Sequence, residues 1–185
     1  MQYLDAVCGT QVADKPVDAL FWCGLQNPVG AADYGTKVGE VRGARFARFE
    51  STHQWVMPTT LRSLIAQGHD PLAIICDRCH ELGKDAWLSM RFNDAHHICR
   101  GVAPGNSKTS QLYLDRPDLR MGPDHGWSHG WSQWQWDYLK PEVRDIAYAL
   151  LKEAYLDYDV DGVELDFMRH PYFFRRHEST REPRR

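Results

Sequence analysis

Glu164 and Asp166 are the residues of this chain whose types and spacing best suit catalysis. They are two carboxylates at positions i and i+2. They alternate with apolar residues in the segment VDGVELDFMRHP. Successive side chains of a β-strand point to opposite faces, so a strand here has one apolar face and one acidic face. Paired carboxylates are the residues that cleave glycosidic bonds by general acid, general base or nucleophilic attack.

The two acids differ in their expected depth. Asp166 lies nearer the carboxyl end of the predicted strand, where β/α proteins place their chemistry, so we expect it to face substrate. Glu164 is expected to lie deeper and therefore to need a charged partner, because an isolated buried carboxylate is costly. Arg91, on the corresponding face of the preceding predicted strand, is the expected partner. The alternative is an edge strand whose acidic face is solvated.

A second polar segment, RFNDAHH, follows another predicted strand. Its donors and acceptors suit hydrogen bonding to sugar hydroxyls, and the candidate substrate-binding residues are Arg91, Asn93, Asp94, His96 and His170. Four of the same side chains are also types that hold metal ions, namely Asp94, His96, His97 and His170. Adjacent histidines point apart and chelate poorly, so polar contacts are the preferred interpretation, and no metal or other cofactor is predicted.

Tryptophan is concentrated in one short segment, HGWSHGWSQWQW, which holds four of the seven tryptophans of the chain. Aromatic rings stack on the apolar faces of sugars, so Trp131 and Trp134 are candidates for a substrate platform. The alternative is that several of these rings cover the core, because aromatic side chains bury large areas.

The pentapeptide CDRCH at 76–80 matches the C-x-x-C-H pattern of haem attachment. It lies within a predicted amphipathic helix, with both cysteines on the apolar face. We therefore predict that Cys76 and Cys79 are core residues.

Apolar patterns predict helices alternating with strands. Helices are predicted over 2–11, from Thr59 or Thr60 to Gly68, over 70–83 and from Pro141 onward, and strands over 17–23, 85–92 and 162–167; the segments 24–56 and 93–137 read as long loops. Such alternation is typical of a parallel sheet. A complete barrel needs eight strands and about 250 residues. We therefore predict a partial (β/α)8 TIM-type barrel with about three parallel strands over 1–174, and a disordered basic tail over 175–185.

Composition bears on which kinds of partner the chain could bind. The chain has 185 residues and a net charge of −3, so electrostatics give no reason to expect nucleic acid or an anionic membrane as partner. No apolar run approaches the roughly 20 residues of a membrane-spanning helix. Five cysteines, an odd number without regular spacing, make a disulfide scaffold unexpected.

Three segments, YLDAVCGTQ, SMRFND and DGVELDFMRHP, resemble the glycosyl-hydrolase-like 10 proteins and related bacterial glycosidases. The resemblance implies a TIM barrel of which this chain is a part, a carbohydrate substrate, and Asp166 at the position of a catalytic acid. The predicted function is hydrolysis of a glycosidic bond, with Asp166 and Glu164 as the catalytic candidates. The alternatives are a non-catalytic carbohydrate-binding barrel and a metal-dependent hydrolase that uses Asp94 and the three histidines named above.

Overall fold

The protein is built around a five-stranded, mostly parallel sheet. The computed structural model describes residues 12–26, 30–94, 106–124, 126, 130–168 and 170–175, without the side chain of Trp131. The strands are β1 (Ala19–Leu25), β2 (Ala31–Ala32), β3 (Glu40–Val41), β4 (Asp85–Arg91) and β5 (Gly162–Asp166), in the order β3-β2-β1-β4-β5. Only the β1–β2 pair is antiparallel among the described strands. The predicted α/β class is confirmed, and the sheet of the described residues is open rather than closed into a barrel.

Four α-helices accompany the sheet in the described residues: α1 (Thr52–Ala66), α2 (Pro71–Glu81), α3 (Gln111–Asp115) and α4 (Pro141–Asp157). The start of α2 follows from its sequence, because the Asp70 carboxylate accepts a hydrogen bond from the Leu72 N–H at 3.0 Å and Pro71 occupies the first helical position. The prediction of helices over 70–83 and from Pro141 is therefore confirmed.

The segment 24–56 differs from its prediction as a long loop. It contains β2, β3 and the first turn of α1, which begins after Ser51, whose hydroxyl accepts from the Gln54 N–H at 3.3 Å. Pro58 lies inside α1, and because proline usually interrupts helices, the pattern predicts a later start. Strands of two residues are too short to show alternation, so only the pairing of β2 with β1 and of β3 with β2 reveals them.

A helix is predicted at the start of the chain and a disordered tail at its end. Of these residues, the structure describes only Arg175 of the tail. The predicted helix at 2–11 and residues 176–185 of the predicted tail lie outside the described residues. Arg175, the first residue of that tail, is half-buried and donates from Nη2 to the Arg120 carbonyl at 3.1 Å. The prediction of disorder is therefore wrong for Arg175.

The helices α2 and α4 cover one face of the sheet. Leu88 and Met90 alternate onto this face of β4 and are fully buried in one core cluster with the apolar positions of both helices. The opposite face carries Trp87, which approaches Gly162 so closely that a Cβ there would lie 2.7 Å from the ring. Phe21, on the same side, is half-exposed. One face of the sheet is thus closed by helices, while the other presents aromatic and polar side chains.

Cys76 and Cys79 lie in that core cluster, which confirms their prediction as core residues. Burial raises the pKa of the Cys76 thiol to about 12, so the thiol stays protonated and unreactive at neutral pH.

Replacing either cysteine by alanine is expected to lower the free energy of unfolding by about 1 kcal/mol, because each change leaves a small void in a packed core. Urea unfolding measures this loss, and an absorption spectrum of the purified protein serves as the check on haem. A covalently bound haem chromophore that disappears in the variants would contradict the core assignment.

His80, near the end of α2, forms ion pairs with two aspartates just before β5. Its Nε2 lies 2.8 Å from Asp161 Oδ2, and its Nδ1 lies 3.5 Å from Asp159 Oδ2. The hydrogen bond to Asp161 raises the pKa of His80. The Ala86 N–H, at 2.7 Å, and then His80 hold the pKa of Asp161 below its usual value.

We expect an NMR titration to give His80 a pKa above the ordinary value of about 6.5. Asp161→Asn should bring it back toward that value, and Asp159→Asn should change it less, since Asp159 is the more distant partner.

The stabilisation from His80 is complete below its ordinary pKa and is lost as the pH rises through the raised one. The stabilisation from Asp161 is complete above the ordinary pKa of an aspartate and is lost as the pH falls through the lowered pKa of Asp161. Both side chains are partly exposed, so the effect on unfolding should stay below about 1 kcal/mol. A His80 pKa that Asp161→Asn leaves unchanged would contradict the assigned cause.

Candidate functional site

Charged and polar side chains converge where the strands end. We call them the strand-end cluster, whose members are Cys23, Asp33, Arg42, Arg91, Asp94, Lys108 and Asp166. Arg91 and Asp166 are the last residues of β4 and β5, and Asp33 and Arg42 directly follow β2 and β3. The carboxyl ends of the parallel strands β1, β4 and β5 lie at one edge of the sheet, which is where ligands of α/β proteins bind. β2 and β3 run in the opposite direction, but they lie at the same edge because Ala32 of β2 pairs with Leu25 at the end of β1.

Arg91 connects two acids of the strand-end cluster. Its Nε lies 3.7 Å from Asp166 Oδ2, and its Nη1 lies 3.8 Å from Asp94 Oδ2. Because both acids touch one rigid guanidinium, these two carboxylate oxygens are at most about 10 Å apart. The Met168 N–H donates to Asp166 Oδ1 at 2.9 Å and so orients that carboxylate. Arg91, Asp94 and Asp166, all predicted from the sequence, are thus brought together.

Glu164 is not the partner of Arg91, and the prediction of a buried Glu164–Arg91 pair is wrong. The register aligns Glu164 with Ser89 and aligns Arg91 with Asp166, so the arginine meets the acid directly across from it. β5 lies at the edge of the described sheet, and Glu164 is exposed there. The alternative of an edge strand with a solvated acid therefore holds for Glu164, while Asp166 is three-quarters buried and paired.

Asp33 and Arg42 form a second ion pair, which the sequence analysis misses. Arg42 Nη1 lies 3.1 Å from Asp33 Oδ1, and Arg42 is only 5% exposed. Burial raises the pKa of Asp33, and the Arg42 charge opposes that shift only in part. Main-chain hydrogen bonds hold both residues, from the Asp33 N–H to the Gly24 carbonyl and from the Arg42 N–H to the Ala32 carbonyl, each at 2.9 Å. No periodic pattern marks this pair, because two-residue strands position it.

Lys108 and Cys23 complete the strand-end cluster and are also missed from the sequence. Burial and the charge of Arg42 lower the pKa of the Lys108 amine, while Asp94 and Asp33 oppose the shift. Burial raises the pKa of the Cys23 thiol, and the charge of Arg91 opposes it. A half-buried lysine with a lowered pKa near carboxylates is typical of functional sites.

Asn93, predicted to bind substrate, is instead turned into the protein. Its Nδ2 donates to the carbonyls of Trp136 at 3.1 Å and Tyr172 at 2.7 Å, and its Oδ1 accepts from the Trp136 N–H at 3.1 Å. It is 1% exposed and has a positive φ of 55°. Because its amide is already used, Asn93 positions the segments that follow β4 and β5, and its predicted contact with sugar is corrected to this role.

The tryptophan segment is partly a core element. Trp136 is fully buried, and Trp134 is half-buried and packs against the core cluster, which agrees with the alternative that these rings cover the core. The Tyr113 hydroxyl donates to the Trp134 carbonyl at 2.8 Å and fixes that segment. The side chain of Trp131 lies outside the described residues, so its predicted stacking on sugar stays a prediction.

The predicted histidines are described only in part. His96 and His97 lie outside the described residues. His170 is half-buried, and its carbonyl accepts from Gln135 Nε2 at 3.3 Å. Within the described ranges, no group of three His, Cys, Asp or Glu side chains is arranged to hold a metal ion. The proposed ligand set of Asp94 and the three histidines therefore stays a sequence prediction.

Comparison with known proteins adds no relative: no protein-family model matches the chain, and no curated protein matches it. The resemblance to glycosyl-hydrolase-like 10 proteins stays a prediction. In the part of the chain that the structure describes, no helix is both long and apolar enough to cross a membrane.

Proposed function

We propose that the protein hydrolyses glycosidic bonds with carboxylates of the strand-end cluster. The observation that carries the proposal is the guanidinium of Arg91, which lies between Asp94 and Asp166 at the ends of β4 and β5. The bound of about 10 Å on their separation includes both spacings that glycosidases use, about 5 Å in retaining enzymes and about 6.5–9.5 Å in inverting ones.

The residues take different roles in this proposal. Asp166, oriented by the Met168 N–H and by Arg91, acts as nucleophile or stabilises the oxocarbenium-like transition state. Asp94 is the candidate for the second carboxylate, because the guanidinium of Arg91 lies between it and Asp166. Glu164 has no role in the reaction, since the register sets it across from Ser89 and it shares no ion pair with Arg91.

We further propose that the sheet is part of a (β/α)8 barrel. Three features support this assignment. β1, β4 and β5 are parallel neighbours in chain order, α2 and α4 cover the same face, and the uncovered face carries the polar side chains. In a barrel, helices lie only on the outer face, and the chemistry lies at the carboxyl ends of the strands.

The test is incubation of the protein with a panel of phenyl glycosides and soluble polysaccharides. We expect release of reducing sugar from at least one member, measured by chromatography, and saturable sugar binding measured by calorimetry. Binding without release would replace the proposal with the non-catalytic carbohydrate-binding alternative. Neither binding nor release across the panel would overturn it.

A further inference from the structure

An open cavity of about 390 Å³ lies beside the strand-end cluster. Cys23, Asp33 and Arg42 line one side of it and belong to the cluster as well. The other walls are mainly apolar and come from β1, α1 and the start of α2: Trp22, Val56, Met57, Leu61, Leu64 and Pro71. A volume in this range, with apolar walls and a few polar groups, is typical of small-molecule sites.

Three buried polar atoms on this cavity lack partners. Gln26 Oε1, Asp33 Oδ1 and Arg42 Nε have no hydrogen bond in the described structure, although Asp33 and Arg42 lie at ion-pair distance. A buried polar atom without a partner is unfavourable, so it gains from any hydrogen bond that a ligand brings. These atoms have almost no accessible surface, so the Gln26 or Arg42 side chain must rotate toward the cavity before a ligand can hydrogen-bond to them.

The charges at the cavity indicate an uncharged ligand. Among the described residues that line it, Asp33 and Arg42 are the one pair of opposite charge, 3.1 Å apart, and together they balance. A charged ligand would add a desolvated charge without a free partner, which is costly in an apolar surrounding.

We propose that this cavity binds a neutral, mainly apolar group that carries a hydroxyl or amide, for which a phenol is the simplest representative. Its ring contacts the walls formed by Trp22 and α1, and its hydroxyl donates to Gln26 Oε1 and accepts from Arg42 Nε. The cavity adjoins the carboxylates of the strand-end cluster and so holds the aglycone of a glycoside substrate. This last assignment, unlike the binding itself, rests on the proposed function.

The binding test compares phenol with fluorobenzene, a ring of similar size without a hydroxyl donor, by NMR titration of the whole protein. We expect saturable binding of both, with phenol binding more tightly. Gln26→Leu should remove most of the advantage of phenol and leave fluorobenzene unchanged. Absence of saturable phenol binding, or equal affinities for the two probes in the wild-type protein, would overturn the proposal.

A matched pair of variants on α1 tests the location. Thr60 lies on the exposed rim of the cavity, whereas Ser63, also exposed on the same helix, does not line it. Thr60→Trp should fill the cavity and weaken phenol binding at least tenfold, while Ser63→Trp should leave the affinity within about twofold. Equal effects of the two substitutions would place the phenol elsewhere and overturn the proposal.

The aglycone assignment has its own readout. For an active protein, Thr60→Trp should raise KM for a phenyl glycoside and leave KM for the methyl glycoside of the same sugar unchanged. Unchanged KM for both would overturn the aglycone assignment. The protein could bind phenol in a way that Thr60→Trp abolishes and yet cleave no glycoside. That result would support the cavity site and contradict only the proposed function.

Discussion

Asp166→Asn lowers kcat for glycoside hydrolysis by about 1,000-fold or more if Asp166 is the catalytic carboxylate, a loss comparable to removal of a catalytic acid in other hydrolases. The amide keeps the shape of the side chain and can still accept the hydrogen bond of the Met168 N–H, but it cannot attack the anomeric carbon or stabilise positive charge. The side chain is a quarter exposed and its ion pair with Arg91 is long, at 3.7 Å, so the free energy of unfolding should change by less than about 1 kcal/mol.

Glu164→Gln is the matched control for this prediction. Glu164 precedes Asp166 by two residues on the same face of β5, but it is exposed and shares no ion pair with Arg91. The substitution should leave both kcat and stability nearly unchanged. Full activity of Asp166→Asn, or an equal loss in both variants, would show that the catalytic carboxylate is a different residue.

Asn93→Ala should lower the free energy of unfolding by about 3–5 kcal/mol, the largest stability effect expected at the site. The change removes a hydrogen-bond partner of three main-chain groups, the buried N–H and carbonyl of Trp136 and the part-buried carbonyl of Tyr172. It also places a Cβ without a compensating side chain at a φ of 55°, which adds about 1 kcal/mol. Urea unfolding followed by tryptophan fluorescence measures the loss.

Asn93→Gly separates the two contributions. Glycine accepts the positive φ without strain but removes the same three hydrogen bonds, so it should be about 1 kcal/mol less destabilising than alanine. A loss below about 1 kcal/mol in Asn93→Ala would contradict the anchoring role of the side chain. In that case, contact of Asn93 with substrate would again be the better interpretation.

Local sequence was sufficient for the elements whose signals lie within one turn or one strand. Asp70-Pro71 predicts the start of α2, because a capping carboxylate and a proline satisfy the first turn without any distant residue. Alternation likewise predicts which residues of β4 and β5 share a face, and the register of the two strands agrees with it. Arg91, Glu164 and Asp166 are therefore predicted to share one face, although the sequence suggests Glu164 as the partner of Arg91.

Pairing between distant segments decided the rest. Asp33 and Arg42 lie beside Cys23 because β2 pairs with the end of β1 and β3 pairs with β2, and such short pairings leave no periodic signal. The partner of Arg91 depends on the register between β4 and β5, which sets Asp166 rather than Glu164 across from it. Burial of Asn93 likewise depends on Trp136 and Tyr172, 43 and 79 residues away. Alternation specifies a face, but the depth of a side chain and its partner depend on the neighbouring strands and loops, which only the tertiary fold supplies.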